Sequence, residues 1–586
     1  MAAVVQVREV DNWLQQFADM RSDRSNWDRK CQLVSDYILP RRDFSTTQRP
    51  NQIRPHRVTS SVATNANTRM AAWLLTYLID PTRPFLLPNV KRGLVASGRP
   101  TDLEDDAQDY LTQLQWSVFD HMMLPKAQLM QRLGSMLKEF CAFGCGVMWT
   151  GRKRGFGPYF NARPVQACWW SENEEGEIDT LYFKMLLPLH RVFQRFPEAR
   201  TVEGWADKVD KPASDLQLTP IILGCRPRAG GQAGAVVENK PYAFVAISEE
   251  KKVVLETSGY DSFPYGVYRY DPMPGSAYAE GVGCQVLPDV MVLNHLQEAI
   301  ESGASQKAAP AIAVPARMFG RQLDRRPTAV NAYNPQGLGL MRADQAIIKL
   351  DFSGDITEAK ELIQVLTNNI ELGYFTDWLR LRESGDMTAE EVGERRDLRL
   401  RGAASIVANC ELPMTIMGDR CLEIMNEERL TAPAPASIAG TEVDWEYAGP
   451  LAVAQLRGNV QASLQLMNAA ALVDKNDPGA GKAVNHEELL RVIAESLAAP
   501  TRVMNSRQKV AADRAAEAHA QMQQMNAAKL AQVAGAARDG GQGLSSMADA
   551  AQTAGGPPGA PPMPGGGGGF APASPFAGPS AVPVAA

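Results

Sequence analysis

The chain has 586 residues, of which 45% are hydrophobic and 22% are charged, and its formal net charge is -6. A chain of this length is expected to form about two to four domains or subdomains rather than a single core. The mild acidity argues against a freely DNA-binding protein, which usually carries a basic domain.

The first half of the sequence predicts helices that lead into strands. Helical patterning covers residues 8–40, and a second apolar stripe with helical spacing ends at the turn DPTRP. Two more helices are predicted at 105–123 and 126–142, and Gly144 and Gly146 should end the second and begin a strand. Two hairpins then follow: RPVQACWW and TLYFKMLL flank SENEEGEID, and YAFVAIS and VVLETSG flank EEKK.

Helix returns near Leu287 and is followed by a segment rich in Pro and Gly, 311–354, with six basic and three acidic residues. The next helix, 355–380, has the most regular apolar stripe in the sequence. At 1.5 Å per residue it would form a rod of about 39 Å. Its stripe comprises Ile356, Ala359, Ile363, Leu366, Ile370, Tyr374 and Trp378.

A short charged loop, 381–387, separates this helix from a second long one. Thr388 and Glu391 have the spacing of a capping box, which predicts a sharp helix start. Pro413 lies inside the same helical pattern and predicts a kink there. Further helices are predicted between 450 and 535, and the Gly/Pro-rich sequence from Arg538 onward predicts disorder.

Motifs for catalysis are absent from the sequence, which predicts that the protein is not an enzyme and uses no cofactor or metal. The stretch DPGAGKAV lacks the first glycine and the final Ser/Thr of a phosphate loop, and NHEELL lacks the second histidine of a zinc protease. The eight cysteines are scattered without a Cys-x-x-Cys pair, which argues against a disulfide framework and fits a reducing compartment. The N-terminus turns polar too early for a signal peptide, and no apolar run is long enough to cross a bilayer.

Five blocks, in order, resemble the head-to-tail connector (portal) proteins of short-tailed, T7-like bacteriophages. They are SSVATNANTRMAAWLLTYLIDPTRPFLLP, FCAFGCGVMW, FPYGVYRYDPMPGSAYAEGVGCQVLPDVMVLNHL, DMTAEEVGERRDLRLRG and EYAGPLAVAQ. The resemblance covers roughly residues 10 to 470. One departure is AYAEGVG, where the family usually has Tyr-Gly.

The resemblance implies a mixed α+β, predominantly α, portal fold with wing, stem, clip and crown that assembles as a ring. It assigns 1–284 to the N-terminal wing region, 285–310 to the first stem helix, 311–354 to the clip, 355–380 to the second stem helix, 381–387 to the tunnel loop, 388–449 to the kinked wing helix and return strand, 450–537 to the helical crown and 538–586 to a disordered tail.

The resemblance also places candidate functional residues. The tunnel loop would include Arg382, Glu383, Ser384, Gly385 and Asp386. Arg380 and Arg382 are candidates for transient contact with DNA phosphates, and pairing with Glu383 or with a neighbouring subunit's carboxylate is the alternative. The clip arginines would contact DNA, another subunit or a tail adaptor; they are Arg317, Arg321, Arg325 and Arg326.

The function implied is a dodecameric ring at one capsid vertex, through which the genome is packaged and later ejected. Its expected partners are double-stranded DNA in transit, the terminase motor, the major capsid and scaffolding proteins and tail adaptors, with no membrane. It would be assembled in the host cytoplasm and then belong to the virion. The alternatives are another structural virion component, such as a tail adaptor, and a catalytic DNA-packaging ATPase or nuclease.

Overall fold

The computed structural model of the chain mixes helix and strand, with more helix than strand, which confirms the predicted mixed α+β class. It describes residues 2–40, 44, 58–90, 105–205, 218–228, 240–315, 324, 326–333, 348–350, 357–376, 389–436, 438, 440–441, 443–449, 464–469, 489–490, 493, 510 and 513–529.

The named elements fall within the first of two compact units, Met1–Met504 and Asn505–Ala586. The helices are α1 (Ala2–Asp23), α2 (Ser25–Tyr37), α3 (Val62–Leu78), α4 (Asp105–Met123), α5 (Leu129–Phe143), α6 (Leu189–Arg195), α7 (Val282–Ala308), α8 (Thr357–Gly373) and α9 (Ala389–Glu427). The strands are β1 (Leu86–Val90), β2 (Cys145–Lys153), β3 (Gly157–Arg163), β4 (Cys168–Glu172), β5 (Ile178–Pro188), β6 (Leu218–Pro227), β7 (Tyr242–Ser248), β8 (Val253–Tyr260), β9 (Tyr265–Arg269), β10 (Ala311–Pro315), β11 (Val330–Tyr333), β12 (Ile348–Leu350) and β13 (Val443–Tyr447). In the second unit, residues 513–529 form an exposed helix.

The largest sheet is antiparallel throughout, in the order β4-β5-β6-β7-β8. Both predicted hairpins are confirmed, because β4 pairs with β5 and β7 pairs with β8. Successive side chains of a strand point to opposite faces. Ile222 therefore packs towards α1, while its neighbours Ile221 and Leu223 belong to the core on the other face.

A second antiparallel sheet, β3-β2-β9, lies beside the largest core, which α3, α5, α7, α8 and α9 all enter. Strands β1 and β13 form a separate antiparallel pair. The sheet β3-β2-β9 follows directly from α5, as the glycine pattern predicted, and it therefore joins the β-rich region to the helical core.

Three predicted helix limits are wrong. The helix predicted to begin near Leu287 begins at Val282, and Pro288 lies inside it. The helix predicted from 126 begins at Leu129, because Gln128 has a left-handed backbone with φ 61°. The helix predicted to run to 380 ends at Gly373, and Phe375 has φ 54°, so the rod is shorter than expected. Trp378 lies outside the described residues. The apolar stripe misled the prediction because Tyr374, just past the helix end, is still fully buried.

Three glycines allow the start of α7 to press against the turn between α5 and β2. A Cβ on Gly281 would lie 2.4 Å from the Gly144 amide nitrogen and 2.8 Å from the Cys141 carbonyl oxygen. A Cβ on Gly283 would lie 2.5 Å from the Ala142 carbonyl oxygen, and Gly144 itself has φ 91°. These contacts are with backbone atoms, which cannot rotate away, so only glycine fits at this junction.

We expect Gly281→Ala to lower the free energy of unfolding by about 3 kcal/mol, at the upper end of the usual cost of overpacking. Gly281 has φ -98°, which alanine adopts freely, so the loss would come from steric overlap alone. Gly134→Ala, inside α5, is the matched control: its Cβ would meet Leu75 at an ordinary 3.4 Å and should stabilise the helix by about 1 kcal/mol. Urea unfolding followed by circular dichroism measures both, and equal effects of the two variants would contradict the steric explanation.

Glu423 of α9 holds the turn that joins β8 to β9. Its carboxylate accepts hydrogen bonds from the backbone amides of Asp261 and Ser262, each at 3.2 Å, and pairs with Arg420. Arg420 is 4% exposed and lies 4.6 Å over the Tyr260 ring. Burial alone would raise the pKa of Glu423, but Arg420 and these hydrogen bonds outweigh it and hold that pKa below its usual value.

Glu423→Gln should therefore lower the free energy of unfolding at neutral pH by about 3 kcal/mol, because it leaves the Arg420 charge buried without a counter-charge. A lowered carboxyl pKa stabilises the fold above the unfolded pKa, and this contribution is lost as the pH falls through the folded pKa. The difference between the two proteins should thus shrink as the solution is acidified. The exposed Glu256→Gln on β8 is the control, with an expected change within about 0.5 kcal/mol. A deficit that persists undiminished at acidic pH would contradict the ionic explanation.

Candidate functional site

Helices α7 and α8 form an antiparallel pair that leaves the main core and returns to it. Val286, near the start of α7, lies beside Gly373, at the end of α8: a Cβ on the glycine would be 2.5 Å from the Val286 Cγ1 atom. The proximal halves of both helices share the largest core, where Leu293 and Ile370 are at most 1% exposed. The pair is thus fixed at one end.

Asn294 marks the point at which α7 ceases to be buried. Its side-chain oxygen accepts hydrogen bonds from the Thr59 and Ser60 amides at 3.0 and 3.1 Å, and its side-chain nitrogen donates to the Val290 carbonyl at 2.8 Å. The Thr59 hydroxyl also donates to the Asn294 carbonyl at 3.0 Å. One buried amide therefore ties the segment before α3 to the middle of α7.

The distal halves of the two helices are largely exposed in the single chain. Between His295 and Ala308 only Gly303 is buried, and no residue between Thr357 and Val365 is buried. The exposed charged residues of this part comprise four carboxylates and two amines: Glu298, Glu301, Glu358, Glu361, Lys307 and Lys360. Leu362 and Val365 are 45% and 54% exposed, so this acidic surface also carries an apolar strip.

A small sheet lies at the distal end of the pair. Its order is β11-β10-β12, with β10 parallel to β11 and antiparallel to β12. The sheet is joined to α7 by a hydrogen bond of 3.1 Å from the Thr328 amide to the carbonyl of Ala309, the residue that follows the helix. Val330 on the edge strand β11 is 64% exposed.

Among the predicted clip arginines, Arg326 lies in the described part of the chain. It pairs with Asp324 through its Nη2 and Nε atoms at 2.7 and 3.0 Å, and its side chain is 85% exposed. Asn331 on β11 fixes Asp324 by exchanging two hydrogen bonds of 2.7 Å with its backbone. The side chain and amide of Arg326 lower the pKa of Asp324 to about 2, so this carboxylate is charged at neutral pH.

The other predicted site residues are less fully described. Pro413 lies inside α9, and its carbonyl oxygen is 3.1 Å from the position of a Cβ on Gly266 of β9. Glu391 belongs to the first turn of α9, and the kink and the capping box stay predictions. Those outside the described residues are Arg317, Arg321, Arg325, Arg380, Arg382, Glu383, Ser384, Gly385, Asp386 and Thr388.

A group of three carboxylates, Asp261, Glu423 and Glu427, is the one set of possible metal ligands among the described residues. Each already has a cationic partner. Lys240 lies 3.2 Å from Asp261 and 3.4 Å from Glu427, and Arg420 pairs with Glu423. The cluster is an ion-pair network that joins α9 to the β-rich region. In the described part of the chain no helix is both long and apolar enough to span a membrane.

Sequence reasoning did not single out Asn294 or Gly281, although both fix the base of α7. Asn294 lies on the buried side of α7, next to the apolar residues Val290 and Leu293. A polar residue within an apolar stripe was the feature of the sequence that could have indicated its role. Gly281 and Gly283 stand out in the sequence only as part of AYAEGVG, which departs from the family pattern, and their role depends on a contact with residues far away in the sequence.

Comparison with known proteins gives the family of the chain. Residues 10–504 match the sequence profile of a family described as bacteriophage head to tail connecting protein. A protein of Bordetella phage BPP-1, named a probable portal protein, is similar to this chain, with 22% identity over 461 residues. The aligned region covers 75% of this chain and 79% of that protein. Because the family profile covers most of its length, the chain belongs to the bacteriophage head-to-tail connecting protein family.

Proposed function

We propose that the protein is the portal of a bacteriophage: a ring at one capsid vertex that conducts the genome during packaging and ejection. The observation that carries this proposal is the antiparallel pair α7–α8, fixed at its base, exposed along its distal half and ending in a small sheet. In a ring, α7 and α8 would be the stem helices and residues 311–354 the clip. The role would be structural, supplying a channel and docking surfaces rather than bond chemistry.

The exposed apolar side chains support assembly. Leu362, Val365 and Leu372 recur at three- and seven-residue intervals on α8 and are 45%, 54% and 56% exposed. On the buried side of α8, Leu366 and Ile370 already pack against the core, so this second strip needs another partner. Head-to-tail contacts between identical subunits repeat until the ring closes, and a twelve-subunit ring of this kind would cover each strip with the neighbouring subunit.

The charges of the distal half suit a channel that DNA passes through. Each strong contact between a cation and a phosphate adds to affinity through counterion release and would slow translocation. Four exposed carboxylates against two lysines make the distal helices weakly repulsive to a duplex. In this proposal the loop 381–387 narrows the channel, and Arg380 and Arg382 make transient phosphate contacts.

The partners follow from the same proposal. The clip would dock the terminase motor during packaging and the tail adaptors afterwards, with Arg317, Arg321 and Arg325 as contact residues. Arg326 is already paired with Asp324, which favours a structural role for it within the clip. The wing would contact the major capsid and scaffolding proteins, and the ring would be assembled in the host cytoplasm and retained in the virion.

Electron microscopy of the purified full chain, with class averaging of end-on views, tests the proposal directly. We expect rings of about twelve subunits around a channel wide enough for a DNA duplex. A chain that stays monomeric, even with the scaffolding protein present, would overturn it, and nucleotide hydrolysis would then be the next assay.

The double variant Leu362→Glu with Val365→Glu should abolish or strongly reduce ring formation, because it would bury two charges between neighbouring subunits. Both side chains are about half exposed in the single chain, so the fold of the monomer should persist, as circular dichroism would verify. Met273→Glu, at a position 44% exposed in the turn before α7, is the control and should still form rings. Sedimentation velocity gives the oligomeric state, and rings formed normally by the double variant would exclude this strip as the subunit interface.

A further inference from the structure

Arg163, the last residue of β3, is a buried arginine that lies between the sheets β3-β2-β9 and β4-β5-β6-β7-β8. Its side chain is 9% exposed. The Cζ atom lies 4.4 Å from the centre of the Trp149 ring on β2 and 4.5 Å from that of the Phe183 ring on β5. In the part of the chain that the structure describes, no carboxylate pairs with Arg163 and no atom accepts a hydrogen bond from its side chain.

The aromatic contacts of Arg163 meet only part of what a buried guanidinium needs. Contacts over ring faces leave the five N–H donors, which lie in the guanidinium plane, available. Polar groups that are buried this deeply usually have hydrogen-bond partners, and a buried charge without a counter-charge is costly. The donors of Arg163 therefore favour a partner that both accepts hydrogen bonds and carries negative charge.

A second arginine lies beside the same strand. Arg195, the exposed last residue of α6, has its Nη1 atom 4.0 Å from the Met185 sulfur. Met185 and Phe183 are two residues apart on β5, so their side chains point to the same face and are spaced by about 7 Å. Arg195 also forms no ion pair with a carboxylate of the described residues. Two cations thus contact neighbouring positions on one face of β5.

The second positive charge makes the first one harder to bury. Burial lowers the pKa of Arg163, and the nearby Arg195 charge acts in the same direction. An arginine that served packing alone would gain nothing from another cation beside it. An anion bound between the two side chains would instead be attracted by both of them.

We propose that Arg163 and Arg195 form a binding site for a carboxylate group, between the end of β3 and the end of α6. The carboxylate would accept two parallel hydrogen bonds from the planar fork of Arg163, and Arg195 would donate a third from the exposed side. A planar anion suits this position, because the Trp149 and Phe183 rings limit the space around the guanidinium. The site would exist in the single chain and does not depend on the proposed portal role.

Thermal unfolding of the full chain tests the site, with acetate replacing chloride at constant ionic strength. An anion that binds only the folded state stabilises it increasingly as the anion concentration exceeds the Kd. We expect the unfolding temperature of the monomer, identified by sedimentation velocity, to rise with acetate concentration. An unfolding temperature of the monomer that does not respond to acetate would overturn the proposal.

The same measurement on assembled protein distinguishes two sources of the carboxylate. A rise in both the monomer and the assembly would identify a free carboxylate ion as the ligand. A rise in the monomer alone would identify an Asp or Glu side chain of a neighbouring copy, which then occupies the site in the assembly. Both results support a carboxylate site.

Variants assign the response to the two arginines. Arg163→Met should remove it, and the part of the rise that depends on Arg163 should be larger for acetate than for inorganic phosphate. Arg195→Gln, at an exposed position, should raise the acetate concentration needed for a given rise by about tenfold, the effect of losing one charge-assisted hydrogen bond.

Arg226→Met is the matched control and should keep the full response. Arg226 also lies over a ring, 3.8 Å from the centre of Trp13, but it already donates a hydrogen bond of 2.9 Å to the Gln16 side chain. An acetate response that is unchanged in Arg195→Gln, or a larger Arg163-dependent rise in phosphate, would contradict the assignment. The Arg195 variant decides the question even if Arg163→Met does not fold.

Discussion

The close approach of two backbones, between the start of α7 and the turn from α5 to β2, determines where the projecting helix pair can lie. Gly144, Gly281 and Gly283 permit it, because a Cβ at any of them would come within 2.5 Å of a backbone atom. The turn belongs both to the helical core and to the sheet β3-β2-β9. This junction of three glycines therefore sets the direction of α7 relative to the helical core and to the sheet β3-β2-β9.

A buried cation also joins two separate segments in the β-rich region. Arg24, 2% exposed, donates to the carbonyls of Val165 and Gln166 at 3.1 and 2.8 Å and lies 4.3 Å over the Trp169 ring. Its ion pair with Asp28 is 2.8 Å long. Burying an unpaired cation would be costly, and here backbone oxygens and an aromatic face replace water around it. Arg24 thus joins the break between α1 and α2 to the loop before β4, as Glu423 joins α9 to the β8–β9 turn.

The sequence was sufficient where the determining interactions are local. Alternating side chains and a turn between them define the hairpins β4–β5 and β7–β8, and the most periodic helix was found where α8 lies. The end of α8 was predicted too far along the chain, because the buried Tyr374 continues the helical spacing of apolar residues. The backbone nevertheless leaves the helical conformation at Phe375, which has a positive φ. Asn294 could not be assigned a role, because its partner Thr59 lies 235 residues away. For the tunnel-loop residues the resemblance remains the basis of the assignment.

The unequal burial of the two ends of α7 has a consequence for how this chain folds. Its proximal half shares a core with six other helices and should open only when the whole unit unfolds, whereas amides beyond Asn294 are protected by little more than the helix itself. Isolated helical segments of this length are marginal in water. In the proposed ring, the distal segment should therefore gain most of its protection against hydrogen exchange from neighbouring subunits, so that its order rises with protein concentration. Assembly would then be the last step of folding for this part of the chain.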